Sequence, residues 1–361
     1  MSRKTITDVA KAAGVAIKTV SRVLNNEPRV RPATRERVMA AVKALNYFPS
    51  ISARGLAGRR SCLVGLVYEN PSPNYIMDVQ NGAMARCREE RFQLIMHHYS
   101  GRGADLATDI GRLVDQTHLD GLVLTPPLSS SKELIQALDA RKIPFVRIAP
   151  NRMKHDSPLV DVDDLAAAQE MTEYLIGIGH RRIGFIVGNP EHFASGRRLE
   201  GYQAALERHG IAYRDDYVKQ GYFVFDSGLT SGAELMSMAD PPTAIFASND
   251  DMAAGVLMAA HQRGMKVPEE LSVAGFDDAQ IARLVWPRLT TVFQPAYDLA
   301  YAATDMLLQM LKSPKPARAQ QFAHRLVCRD STGPLRRRDV SASNAAECAQ
   351  EAQGNAACRL K

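Results

Sequence analysis

The sequence predicts an all-α helix-turn-helix headpiece joined to an α/β sensor body of two doubly wound lobes. Three observations predict it: positive charge concentrated in the first sixty residues, three short amphipathic helical patterns broken by a glycine turn in that segment, and two successive series of short apolar runs alternating with helical patterns after it. At 361 residues the chain is long enough for two or three units with full cores.

In the headpiece, Thr5-Ile6-Thr7-Asp8 has capping-box spacing, with Thr5 as N-cap, and opens a helix through Val9, Ala10 and Ala13. Gly14 breaks it, and after a tight turn a second helix is expected over 17–25. Val20, Val23 and Leu24 share one face of that helix. Ile17, Lys18, Ser21, Arg22 and Asn25 share the other, so one face is core and the other points outward. A third helix starts with Pro32 in its first turn and should bury Val38, Val42 and Leu45 at i, i+4 and i+7. Residues 1–60 hold thirteen Lys or Arg and three acids, a balance of +10 against +6 for the chain, so the remainder carries −4. A basic three-helix unit on a mildly acidic body fits a polyanion-binding head, whose second helix would enter a major groove. On these residues alone, a helical bundle with a solvated basic face remains an alternative.

After residue 61, the apolar runs 62–68, 92–97, 119–125 and 145–148 read as buried parallel strands, separated by helices such as 76–91. A second series follows at 183–187, 217–223, 244–247 and 271–275. Two βαβ series give two lobes with a ligand crevice at the strand C-termini. The expected boundaries are a headpiece at 1–48, a hinge helix or linker at 49–60 and a core at 61–335, then a disordered tail at 336–361. Within the core, an N-lobe takes about 61–162 and 293–323, and a C-lobe about 163–292 and 324–335. The tail lacks apolar heptads, which favours a dimer over a larger assembly.

The ordered set Thr5-Ile6-Thr7-Asp8-Val9-Ala10, Ala13-Gly14-Val15 and Thr19-Val20-Ser21-Arg22-Val23-Leu24-Asn25 resembles the headpiece of the LacI/GalR family of bacterial regulators. The resemblance continues to about residue 330 through Leu45-Asn46-Tyr47-Phe48-Pro49, Ala53-Arg54-Gly55-Leu56-Ala57-Gly58, Gly179-His180-Arg181-Arg182-Ile183-Gly184, Arg198-Leu199-Glu200-Gly201-Tyr202, Ser248-Asn249-Asp250 and Gly275-Phe276-Asp277-Asp278. It implies a body like the type I periplasmic sugar-binding proteins, and a cytoplasmic, operator-binding homodimer switched by a small effector, a sugar or sugar derivative.

The resemblance implies DNA contacts from Thr5, Thr7, Ile17, Lys18, Thr19, Ser21 and Arg22, and from Asn25, Arg29, Arg31, Thr34, Tyr47, Ala53 and Leu56. Arg22 would read guanine, and Ile17 would either meet a thymine methyl or pack locally. The hinge would fold on the operator and wedge Leu56 between base pairs, the alternative being a passive linker. Ala16 and Arg31 stand where many members carry a capping Ser, so Arg29 and Arg31 are expected to supply phosphate affinity by charge.

For the effector, the resemblance implies Arg198, Phe223, Asn249, Asp277 and Gln294 from one lobe, and Asn74, Tyr75 and Arg147 from the other. Acids, amides and an aromatic face suit a polyol. Plainer roles stay open: Arg198 as a surface partner of Glu200, Asn249 as a helix cap, and Asp277 and Asp278 as loop residues. Ala149 stands where sugar-responsive relatives place Asp, and with Arg147 nearby this opens the way to an anionic effector.

Other chemistries fit less well. Five irregularly spaced cysteines without a C-x-x-C pair predict neither a disulfide framework nor a metal site, in keeping with a reducing cytoplasm. No signal-peptide pattern is seen in the first residues, and no run of about 18 apolar residues suggests a membrane span. No catalytic loop signature is present, and the adjacent pairs Asp250-Asp251 and Asp277-Asp278 do not provide facing carboxylates, so neither an enzyme nor a cofactor is expected. A sugar transport receptor would share the body without the basic head. Induction and corepression use one cleft, and the sequence does not separate them.

Overall fold

The computed structural model describes residues 4–24, 27–47, 61–69, 72–99, 106–151, 155–313 and 318–334. Asn25, the expected hinge with Ala53 and Leu56, and the expected tail lie outside these residues.

The headpiece is three helices, α1 (Ile6–Ala13), α2 (Ile17–Leu24) and α3 (Pro32–Ala44). At the start of α1 the capping box is complete: the Asp8 amide donates to Thr5 Oγ1, and the Thr5 amide donates to Asp8 Oδ2 at 2.8 Å. Gly14 ends α1 at φ 62°, a left-handed conformation that costs glycine little and an L side chain more. The small core joins Val9, Ala10 and Ala13 to Val20, Val23, Val38, Ala41 and Tyr47. Leu24, Val42 and Leu45, expected at its centre, are half-buried against it. Tyr47 fills that space from beyond α3.

The body begins with β1 (Leu63–Tyr68), α4 (Pro73–Glu89), β2 (Gln93–His98), α5 (Leu106–Thr117), β3 (Gly121–Leu124), α6 (Lys132–Ala140), β4 (Phe145–Ile148) and β5 (Leu159–Val162). It continues with α7 (Asp164–Gly177), β6 (Ile183–Val187), α8 (Phe193–Arg208), β7 (Val218–Gln220), α9 (Phe225–Met236), β8 (Ala244–Ala247), α10 (Asp250–Gln262) and β9 (Ser272–Ala274). The last elements are α11 (Ile281–Leu284), β10 (Thr291–Phe293), α12 (Ala296–Lys312), β11 (Ala319–Phe322) and β12 (Arg325–Val327).

One parallel sheet has the order β11-β5-β4-β3-β1-β2 and a second has β7-β6-β8-β9. Each is covered on both faces. In the first, α4 and α12 pack on one side through Val79, Ala83, Leu299 and Leu307, while α5 and α6 pack on the other through Ile110, Leu134 and Leu138. In the second, α7 and α8 contribute Met171, Leu175 and Tyr202 to one side, and α10 contributes Met252 and Val256 to the other. Strands β1, β3, β4, β6, β8 and β9 are buried on both faces along most of their length, which makes their runs readable, while β2 and β7 at sheet edges are part-exposed.

Each expected run overlaps a strand whose ends lie within three residues of its own. The helix expected over 76–91 starts earlier, because Pro73 occupies a first-turn position where its missing N–H costs nothing. Strands β5, β10, β11 and β12 had no expectation. The β11 sequence Ala-Gln-Gln-Phe is polar and half-exposed, so it carries no apolar run, although its ladder with β5 is regular from Ala319–Leu159 to Phe322–Val162. The chain passes between the sheets after β5, after β10 and after β11. β10 pairs antiparallel with β12 and touches the second sheet through an Asp277–Phe293 bridge.

Candidate functional site

The outward face of α2 carries Lys18 and Arg22, both exposed and four residues apart, with Ile17 beside them at 47% exposure. Thr19 and Ser21 are half-buried at its margins. Arg22 meets Glu27 at 3.4 Å with both side chains about half exposed, a contact that solvent weakens and a partner could displace. Arg35 anchors the far end of the helix, donating to the Val23 carbonyl at 3.4 Å and the Glu27 carbonyl at 2.7 Å. Thr7, Arg29 and Arg31 are exposed and Thr34 is half-buried. Arg31 precedes α3 without a side-chain cap, and at Ala16 the start of α2 is tied by backbone alone, Thr19 N donating to Ala16 O at 2.8 Å.

The second site lies where the C-terminal ends of the two parallel sheets meet. Asp251, in the first turn of α10, accepts from Ser72 Oγ at 2.7 Å and Asn74 Nδ2 at 3.0 Å at the start of α4. These bonds cross from one lobe to the other. Arg198, on α8, is 4% exposed; its Nε donates to Asp164 at 2.8 Å and its Nη1 to the Ser248 carbonyl. Its guanidinium lies 3.5 Å from the centre of the Phe276 ring and 4.0 Å from Asp277. Phe223, at φ 62°, reaches over Gly188, where any Cβ would strike the ring at 2.1 Å. His192 meets that ring edge-on at 5.4 Å.

Asp277 follows β9 at φ 115° and accepts from Gln294 Nε2 at 2.5 Å. Burial pushes its carboxyl up to about 7, with Asp251 and Asp164 adding to the rise against Arg198 and Gln294, which favour the charged form. Burial likewise pushes up the Tyr75 hydroxyl, helped by the nearby Asp277 and Asp164. Asp250 is raised by burial and then by Asp277, although Thr291 Oγ1 and the Ala279 amide both donate to it. The seam is thus an Arg-centred polar knot holding several carboxylates out of water.

Beside the knot a cavity of about 430 Å³ opens between the lobes. Arg147, Ala149 and Asn151 line it from the end of β4, Asp161 from β5, Asp164 from the start of α7, and Phe193 and Arg197 from α8. Arg147 is fully buried; its Nε donates to Ser157 Oγ at 2.7 Å, and its Nη1 and Nη2 have no hydrogen-bond partner.

Comparison with known proteins bears on both sites. Residues 5–50 match the model of bacterial regulatory proteins of the lacI family, and residues 172–332 match a periplasmic binding protein-like domain. The chain is similar to catabolite control protein A of Priestia megaterium, 32% identical over 330 residues, covering 91% of this chain and 99% of that one. The chain belongs to the LacI family of bacterial regulatory proteins.

Two solved structures of LacI-family regulators extend the likeness. The transcriptional regulator CelR in complex with cellobiose is 31% identical with a TM-score of 0.70, covering 91% of this chain and all of that one. The lac repressor dimer bound to operator and the anti-inducer ONPF is 26% identical with a TM-score of 0.81, covering 92% of this chain and all of that one.

Within that family frame, the structure sorts the expected residues. Asn74, Tyr75, Arg198, Phe223, Asp277 and Gln294 gather at the seam; of the eight expected effector residues, Arg147 alone lines the cavity. The helix-cap reading of Asn249 holds: its Oδ1 accepts from Met252 N at 3.0 Å and its Nδ2 donates to the Phe223 carbonyl at 3.0 Å, leaving one N–H and one lone pair of the amide. Two readings need correction. Arg198 does not pair with Glu200; its neighbour Arg197 does, because Arg198 points inward from α8. Tyr47, expected at the DNA surface, is 6% exposed and packs in the headpiece core.

Sequence reasoning missed Ser72, Asp164 and Asp251 at the seam and His155, Asp161 and Arg197 around the cavity. Ser72, Asp251 and Asp164 meet partners far away in the chain, and the cavity gathers His155, Asp161 and Arg197 from three separate segments, so spacing held no signal for either group. Arg35 had one: an Arg in the first turn of a helix that follows a short loop can reach back to the carbonyls ending the previous helix.

Proposed function

We propose that the protein is an operator-binding repressor that acts as a homodimer in the cytoplasm, and that a small polyhydroxylated ligand between its lobes changes its hold on DNA. One observation carries the reading: Lys18 and Arg22 stand exposed, four residues apart, on the second helix of a basic helix-turn-helix unit, with no strong internal partner for Arg22. An Arg placed this way can donate two bonds to the O6 and N7 acceptors of guanine, which discriminates bases by about 1–3 kcal/mol. The lac repressor structure, a dimer on operator with an anti-inducer, and the complex of CelR with cellobiose support the same assignment of roles. The cleft at the strand C-termini is where an α/β body of this topology binds ligands.

Competition between operator and random DNA in a mobility-shift titration tests it. Arg22→Ala should reduce the preference for operator by about ten- to a hundredfold. An unchanged preference would remove Arg22 from base reading, and repeating the titration with ligand gives the sign of the response.

A further inference from the structure

We infer that the inter-lobe cavity takes a sugar acid, a polyol bearing one carboxylate, with the Arg147 guanidinium as the group that receives the carboxylate. This rests on the reading of the cavity as the effector site.

Among the described residues, the buried side-chain atoms without a hydrogen-bond partner are Ser129 Oγ, His192 Nε2 and the two terminal nitrogens of Arg147. Only Arg147 carries a permanent charge, and guanidinium stays protonated at any pH a protein tolerates. Leaving two of its donors unpaired out of water is costly, so such a group is retained where a partner arrives from outside. Its orientation is fixed by a relay. Asp139 holds His155 Nε2 at 2.7 Å, His155 Nδ1 meets Ser157 Oγ at 2.9 Å, and Ser157 Oγ accepts from Arg147 Nε. With Nε occupied, Nη1 and Nη2 are the paired donors left over, a fork matching the two oxygens of a carboxylate.

Ala149 strengthens the assignment. It lines the same wall two residues further on and brings no acid that would neutralise Arg147. The rest of the lining selects among anions. Asp161, Asp163 and Asp164 line the cavity, and Arg197, the other cation there, is already paired with Glu200. A dianionic phosphate would bring two charges beside three carboxylates. One carboxylate brings a single charge, and hydroxyl groups on the same molecule can donate to the aspartates.

Calorimetric titration of the full chain with D-glucuronate, D-galacturonate and D-gluconate, each beside D-glucose or D-galactose, and with D-glucose 6-phosphate, tests the class. One of the acids should bind about tenfold or more tighter than its neutral parent and than the sugar phosphate, and Arg147→Met should erase that preference. In the ligand-free protein, Arg147→Met should raise the thermal midpoint, since it replaces an unpaired buried charge with an apolar chain of similar length. Neutral sugars binding as well as the acids, tighter binding of the phosphate, silence from all three acids, or a lowered midpoint in Arg147→Met would each overturn the inference. Operator binding by the ligand-free wild type is scored separately: its absence would sink the regulator reading and leave the carboxylate result standing.

Discussion

Arg22 in the headpiece and Arg198 in the body are both arginines on short amphipathic helices, and the molecule uses them in opposite ways. Arg22 is half exposed and holds one loose contact at 3.4 Å to Glu27, an arrangement that contributes at most about 1 kcal/mol. Arg198 is out of water, bonded to Asp164 and a carbonyl, and stacked on Phe276. The first can change partners on meeting DNA without disturbing the fold. The second is part of the fold, and removing it strands carboxylates. Arg147 stands between these extremes, buried like Arg198 but with two donors unspent. Burial together with the state of pairing, rather than residue type, separates a reading surface, a structural joint and a binding group.

The sharpest way to break this comparison is to remove the joint. Arg198→Ala should destabilise the body by about 3–5 kcal/mol in urea unfolding, because Asp164 and Asp277 lose their buried counter-charge. Arg198→Lys should recover only part of that, since a point charge cannot serve two bonds and a ring face at once. A loss below about 1 kcal/mol for the alanine variant would place Arg198 with Arg22, among the surface charges.

A smaller effect should follow from pH. The Asp277 carboxyl titrates near 7 when folded against 3.8 for the free group, so the folded state binds its proton more tightly than the unfolded chain does. Its contribution is therefore most favourable below about pH 4 and is lost as pH rises towards 7. Arg198, Gln294, Asp251 and Asp164 face it and set its proton affinity, so the measurement is taken as a difference between variants. Wild type minus Asp277→Asn stability should fall between about pH 5 and about pH 7.5, and a flat difference would show that the knot holds Asp277 charged throughout.

The smallest effect belongs to the exposed charges that do not read bases. Arg31→Ala should weaken operator and random DNA alike and lower the slope of log affinity against log salt by about 0.9, the share of one phosphate. A loss confined to operator would move Arg31 into base recognition beside Arg22.

The headpiece was legible because its instructions are local. The Thr5–Asp8 capping box, the left-handed Gly14 and the division of α2 into an apolar and a polar face all act within one or two turns of chain. Most of the parallel strands were legible for a related reason: a strand buried on both faces must be largely apolar, whereas β7, Val-Lys-Gln, drew its signal from the apolar residues flanking it. β11 escaped because an edge strand that is half in water is free to be Gln-rich.

The sequence by itself therefore determined the basic three-helix head, the paired α/β series and the face of α2 that points outward. Tertiary structure alone decided which polar residues of the cleft are spent and which are available. Ser72 meets Asp251 across 179 residues, and Arg198 meets Asp164 across 34. Asn249 turns inward to cap a helix while Arg147 is left with two free donors. Spacing carries no record of such pairings, because they depend on where two separately folded sheets bring their strand ends together.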